Sequence, residues 1–475
     1  MTRRILGPFN RVEGDLEVQF ESDAGVITQA WVNSSLFRGF ERILVGKVPS
    51  DALVYTPRIC GICSVAQSVA AAQALAQAQG LTPTLNGQLV TNLILACENL
   101  ADHLTHFYLF FMPDFAREVY QSQPWFSDTA QRFKAQSGSA HGEVLKARAE
   151  WLHITGILAG KWPHSLSIQA GGSTRALEAQ EKLQLLLLIR QFRAFLERVV
   201  FVDQLEAVTQ LSTADELNTW QAAHSNSDFG RFLQLANRLK LNGLGRGTDR
   251  FLSYGAYGQY FPQGVWVQGQ IHALDVEQIT EDISHSWMQA EQRVAVPFQG
   301  ETQPHWEKQG AYSWCKAPRL NGKVVETGAI ARQLVAQQPL ITNLVQASGG
   351  NVATRVIARL LELARVVPVM EQWCQAIQIG EPFCAHASMP DEAQGIGMVE
   401  AARGSLGHWL TLQAGKIAHY QIIAPTTWNF SPRDELGQAG ALEQALVGTP
   451  VEDTGAVKVQ HIVRSFDPCM VCTVH

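Results

Sequence analysis

Two cysteine pairs carry the spacing most suited to chemistry in this chain. Cys60 and Cys63 lie in Arg58-Ile-Cys-Gly-Ile-Cys63, and Cys469 and Cys472 lie in Asp467-Pro-Cys-Met-Val-Cys472. Two thiols three residues apart can turn both sulfurs to one metal, and thiolates are soft ligands for zinc, copper(I), iron and nickel. A helix start after Cys63 and the nearby Arg58 both lower a thiol's pKa and ease metallation. A structural zinc module uses two such pairs roughly 15–20 residues apart, whereas these are separated by about 400. Cys-Gly-Ile-Cys before a helix is also the form of a thioredoxin-type redox pair. The βαβ pattern that should precede such a pair is missing, and the second pair stays unexplained. The remaining reading is that one pair is incidental. Cys97, Cys315, Cys374 and Cys384 stand singly and read as small buried hydrophobes.

Long elements are needed to bring two ends of a 475-residue chain together, and the sequence supplies them. Residues 14–33 alternate in polarity on either side of Asp-Ala-Gly, which predicts a hairpin. From Ser64 an alanine-rich run ends at Gly80, a helix with a C-terminal glycine. Helical apolar spacing recurs over 85–112, 141–160, 175–208, 329–347 and 352–379. Residues 250–325 read as irregular strands and loops, and Lys416 to Ile423 alternates like a strand. The fold class predicted is mainly α (α+β), a large helical-bundle core with peripheral small β-sheets. No linker, repeat or low-complexity run divides it, so residues 1–475 read as a single domain.

Composition narrows the function classes. A net charge of −6 with scattered Lys and Arg leaves no footprint for nucleic acid or an anionic membrane. The basic opening lacks an apolar h-region, and no apolar stretch reaches the ~20 residues of a membrane span, which points to the cytoplasm. Charged residues make up 17%, low for a fully solvated surface, so part of it is expected to lie under a partner.

Seven segments in order, from Arg11 to His475, resemble the [NiFe]-hydrogenase large subunit. They are Arg11-Val-Glu-Gly14, Leu36-Phe-Arg-Gly-Phe-Glu41, the Cys60 motif, Asp102-His-Leu-Thr-His-Phe-Tyr108, Glu400-Ala-Ala-Arg-Gly-Ser-Leu-Gly-His408, Pro425-Thr-Thr-Trp-Asn429 and the closing Asp467-Pro-Cys-Met-Val-Cys-Thr-Val-His475. The resemblance implies a nickel ion and an iron ion that carries carbon monoxide and cyanide. Cys60 and Cys469 would be terminal nickel ligands, and Cys63 and Cys472 would bridge nickel to iron. Such a centre binds hydrogen as a Lewis acid while the molecule splits heterolytically.

By the same resemblance Glu13 is the proton gate beside a terminal cysteine. Without it, the plain reading of Glu13 is an ion pair with Arg11. Arg403 would hang over the open metal position, oriented by Asp102 and Asp467, since an isolated buried arginine is costly. Thr426 and Thr427 match a hydroxyl-bearing segment near a cyanide ligand, although such hydroxyls often bond local backbone. Glu41, His475 and the backbone carbonyl of Ile422 match the ligands of a magnesium-type cation (Mg2+ or similar). An iron–sulfur small subunit would take the electrons, since no cysteine motif is left here for clusters; maturation proteins would load the metals.

Three features depart from the family pattern. Gln67 stands where many members have a histidine near the bridging cysteine, and an amide cannot be protonated. Ala402 replaces a common proline before Arg403, and the chain stops at His475 where most precursors carry a clipped extension. Together these resemble the regulatory branch, which senses hydrogen and signals to a histidine kinase. A catalytic uptake hydrogenase feeding respiration is the alternative, and a structural zinc protein is the reading outside the family.

Overall fold

The structure is a computed structural model describing residues 2–451 and 456–475. A small antiparallel sheet opens the chain, with Thr2–Leu6, Leu16–Asp23 and Val26–Ser34 adjacent in that order. The expected hairpin turns at Ala24 and Gly25, both left-handed (φ 48° and 78°), as a tight reversal between twisted strands requires. Leu16, Val18 and Phe20 face inward, with half-buried Glu17 and Gln19 between them.

The helix Ser64–Ala78 follows Cys63, and the chain leaves it through left-handed Gly80 (φ 62°). Its alanines have a packing reason beyond helix propensity. The strand Ala393–Ala401 lies against it so closely that a Cβ at Gly395 would meet the Ala74 carbonyl at 2.0 Å, and one at Gly397 the Ala70 carbonyl at 1.8 Å. Glycine on the strand and alanine on the helix let the two backbones touch.

Two long buried helices, Leu85–Thr105 and Val352–Ala376, pack on each other at the centre. The Thr84 hydroxyl caps the first by accepting from the Gly87 amide, and the Asn351 side chain caps the second by accepting from that of Thr354. Several expected runs are interrupted. Residues 141–160 divide into Ser139–Trp151 and His153–Ala159, and 175–208 holds Ala179–Phe195 and Leu205–Gln210. Residues 329–347 divide into Ala329–Val335 and Pro339–Ser348, because Pro339 has no N–H to continue the first helix. Short strands such as Arg250–Ala256 with Phe261–Val267 fill the region expected to be irregular.

The expected strand Lys416–Ile423 proves to be one of three, paired in order with Gly404–Gln413 and Ala393–Ala401. Sequence reading overlooks the middle strand because it is buried along nearly its whole length, so its side chains do not alternate. The mainly helical α+β fold is as predicted. One contiguous apolar core runs from Phe9 to Cys472 and includes all four paired cysteines.

Candidate metal centre

Four elements meet at the cysteines. Cys60 ends the short turn Thr56–Ile59 in extended backbone, and Cys63 is the N-cap residue of Ser64–Ala78. At the other end of the chain, helix Val457–Phe466 stops at Asp467, whose left-handed backbone (φ 59°) asparagine and aspartate tolerate better than most residues. The following loop docks on the opening segment: the Met470 amide donates to the Glu13 carbonyl at 2.7 Å, and the Glu13 amide to that of Pro468 at 3.4 Å. Arg38 ties the two cysteine loops together, donating to the carbonyls of Ile59 and Val471.

The four sulfurs lie within 4.8 Å of one another, all buried. Cys60 and Cys469 are 3.4 Å apart, Cys63 and Cys472 3.1 Å, and Cys469 and Cys472 3.1 Å. Hydrogen bonds from Cys469 and Cys472 hold Cys60 well below the usual thiol range, helped by Arg403. Bonding to Cys469 pushes Cys63 and Cys472 up, and burial raises Cys469. A buried sulfur cluster of this kind needs a cation before further thiols can ionise, so its donor set fits a soft metal centre.

Arg403 sits at the tip of the hairpin where Ala401 pairs with Gly404, and its guanidinium is buried. Nη1 donates to Asp102 at 2.7 Å; Nη2 donates to Asp102 and to the Asp467 carboxylate, both at 3.2 Å; Nε donates to the Asp467 carbonyl at 2.9 Å. Burial pushes Asp102 up to about 7 against the pull of Arg403. Burial also opposes the charge on Asp467, but Arg403 and His106 outweigh it and its pKa falls. One Asp467 oxygen, Oδ2, has no hydrogen-bond partner.

Glu13 is half-buried, and burial, followed by the charge on Cys60, raises its pKa. It does not pair with Arg11, which forms its ion pair with Asp114 instead. Gln67 is buried, one helical turn after Cys63. Its Oε1 is 2.8 Å from His408 Nε2, whose other ring nitrogen is 2.8 Å from the Tyr420 hydroxyl, while Gln67 Nε2 has no partner. The Thr426 hydroxyl accepts from the Cys469 amide at 3.2 Å; that of Thr427 accepts from the nearby Ala424 amide at 3.3 Å.

The family described as nickel-dependent hydrogenase matches residues 38–142 and 139–475. This chain belongs to the nickel-dependent hydrogenase family. Among its relatives, the periplasmic [NiFeSe] hydrogenase large subunit of Desulfomicrobium baculatum is 29% identical, covering 99% of this chain and 94% of its own length. The hydrogenase-2 large chain of Escherichia coli (strain K12) is 27% identical, covering 100% and 97%. The solved Ni-Fe-Se hydrogenase of D. vulgaris Hildenborough superposes with a TM-score of 0.85 at 28% identity, covering both chains completely. Four thiols alone would also suit a tetrahedral zinc, and it is membership of this hydrogenase family that sets the structural zinc reading aside.

A second polar cluster of this hydrogenase chain lies at the C-terminus. Glu41 Oε1 accepts from the Ile422 amide at 2.8 Å and is 3.2 Å from His475 Nε2. In a strand the amide and carbonyl of one residue face the same side, so the Ile422 carbonyl faces this cluster too. The other Glu41 oxygen takes the Thr302 hydroxyl and, at 3.3 Å, the ammonium of Lys316. Lys316 lies 3.6 Å from Glu281, both of whose buried oxygens lack a hydrogen bond. Lys316, together with the histidine, holds the Glu41 carboxyl low against the effect of burial. The hard oxygen donors and the two orphaned Glu281 atoms fit a hydrated cation of the magnesium type.

Sequence reading missed Lys316, Glu281, Arg38 and the hydrogen-bonding role of His408. Arg38 and His408 stood inside the quoted motifs and were within reach. Lys316 and Glu281 lie in the stretch of short strands at 250–325, Glu281 within Ile279–Asp282 and Lys316 just before Ala317–Leu320, and had no local signal. No helix among the described residues is long and apolar enough to cross a membrane.

Proposed function

We propose that this chain is the hydrogen-activating large subunit of a [NiFe]-hydrogenase heterodimer, splitting dihydrogen heterolytically into protons and electrons. The convergence of four buried cysteine sulfurs from both ends of the chain, flanked by Arg403 and Glu13, carries this reading. Cys60 and Cys469 would hold nickel terminally, and Cys63 and Cys472 would join it to iron. When bound, the nickel–iron centre with its carbon monoxide and cyanide ligands supplies an open Lewis-acid position that polarises dihydrogen.

The chain's own residues then manage charge and proton. Glu13 accepts the proton on a carboxylate oxygen, its affinity raised towards the operating range by burial and by Cys60. Arg403, fixed by Asp102 and Asp467, keeps a preorganised positive charge beside the sulfurs. Thr426, Thr427 and Gln67 would line the side of the iron's diatomic ligands, where the unpaired Gln67 Nε2–H would serve as a donor. Glu41, His475 and the Ile422 carbonyl would hold a magnesium-type ion, whose hydration would offer donors to the two unpaired Glu281 oxygens.

Electrons leave through an iron–sulfur small subunit, in keeping with relatives named large subunits or large chains. Gln67 favours a second reading within the same chemistry: a slow hydrogen sensor that signals to a histidine kinase. High turnover with a respiratory acceptor and no kinase partner would eliminate it in favour of an uptake enzyme.

The deciding experiment is infrared spectroscopy of the anaerobically purified, matured complex. Two cyanide bands and one carbon monoxide band that move under hydrogen are expected. Their absence from metal-replete protein overturns the reading.

A further inference from the structure

The helix that begins at Cys63 is capped from a distance. Cys63 is its N-cap residue, yet its side chain accepts none of the first-turn amides. They go to Glu98 on the helix Leu85–Thr105. The Val65 amide donates to both carboxylate oxygens, at 3.0 and 2.9 Å, and the Ala66 amide to one of them at 3.0 Å. The Ser64 hydroxyl adds a bond at 3.2 Å and the Trp162 indole N–H another at 2.9 Å. Glu98 is only 2% exposed. Burial pushes its carboxyl up, to about 8, while these amides and the indole pull against that rise.

The alternative arrangement is easily pictured. A thiolate at an N-cap is an acceptor placed where first-turn amides point, and hydrogen bonds from them withdraw electron density from sulfur and fix its direction. We propose that Glu98 is a positioning residue for the metal centre: its carboxylate takes the helix amides in place of the Cys63 sulfur, leaving that sulfur's lone pairs for the metals. The assignment rests on the nickel–iron reading above. It gives Glu98, which no motif singled out, a reason to be buried as a carboxylate behind a thiolate cluster.

Two variants of the matured complex, read by infrared spectroscopy at matched nickel and iron content, test it. Measured above the value of about 8 to which burial raises Glu98, where the parent carries a carboxylate, Glu98→Gln keeps the shape but removes a charge and one acceptor, so the amides turn to Cys63. Both changes lower electron donation to iron, and the carbon monoxide and cyanide bands should move to higher wavenumber. Trp162→Phe keeps the carboxylate and removes one donor, leaving its charge less offset, so the bands should move lower.

Opposite shifts support the assignment. Unmoved bands in Glu98→Gln overturn it. Where Glu98→Gln fails to assemble, Trp162→Phe decides alone: a downward shift supports the assignment, and an unmoved or upward band overturns it. A parent complex without such bands overturns the nickel–iron reading itself, whereas unmoved variants of a parent that has them overturn only the role of Glu98.

Discussion

Replacing Arg403 by lysine keeps the charge and removes the fork. The guanidinium makes four bonds, two to Asp102 and two to Asp467, from three nitrogens spread over a plane. A lysine ammonium has three donors on one atom and cannot span both oxygens of Asp102 together with the Asp467 carbonyl. At least two charge-assisted bonds go, at about 1.5–3 kcal/mol each. If roughly half of the resulting loss falls on the activation barrier, about 1.5–3 kcal/mol, turnover drops by about 10- to 10²-fold. The remainder lowers stability. The assay is hydrogen-dependent dye reduction per nickel, with deuterium–proton exchange and thermal denaturation on the same samples. A variant that melts earlier but turns over within about twofold of the parent would refute the reasoning, because Arg403 would then be holding the fold and not the reacting charge.

Glu13→Gln removes the proton acceptor without changing shape, and exchange and oxidation should fall about 10²–10⁴-fold with the infrared bands nearly unmoved; near-parental exchange would dismiss the gate. The pH profile gives the matching sign: burial and Cys60 raise the Glu13 pKa, so activity should climb as pH rises through a value above the usual carboxylate range, and Glu13→Gln should lack that limb. Lys316→Met strips the ammonium from between buried Glu41 and Glu281 and should cost about 3–5 kcal/mol in urea denaturation of the chain freed of divalent cations by chelation; an unchanged midpoint there would show that Lys316 does not balance them. Gly404→Ala puts a Cβ 2.4 Å from Thr327 Oγ1 at a backbone φ of 131°, so it should lose about 1–3 kcal/mol from backbone strain alone and shift Arg403, read as lower melting temperature and turnover; parental values in both would contradict the geometry.

The sequence by itself determined the donors and much of the scaffold. Thiols at fixed three-residue spacing, helix formers in long periodic runs and an Asp-Ala-Gly turn are local signals, because spacing, propensity and turn chemistry act within a few residues. They were enough to predict the helix after Cys63, the opening hairpin and the last strand. Tertiary structure decided what those residues meet. No local pattern could show that Arg11 turns to Asp114 instead of Glu13, that a lysine stands between Glu41 and Glu281, or that Glu98 caps the helix of Cys63. Each of these is a buried polar group whose partner lies far along the chain. Such groups must be matched where the chain folds, because an unpaired charge or amide inside the protein costs more than almost any local preference can offset. The strand Gly404–Gln413 escaped notice for a related reason: burial on both faces erases the alternation by which a strand is read, and only the close packing of strand Ala393–Ala401 on helix Ser64–Ala78 explains the glycines of the one and the alanines of the other.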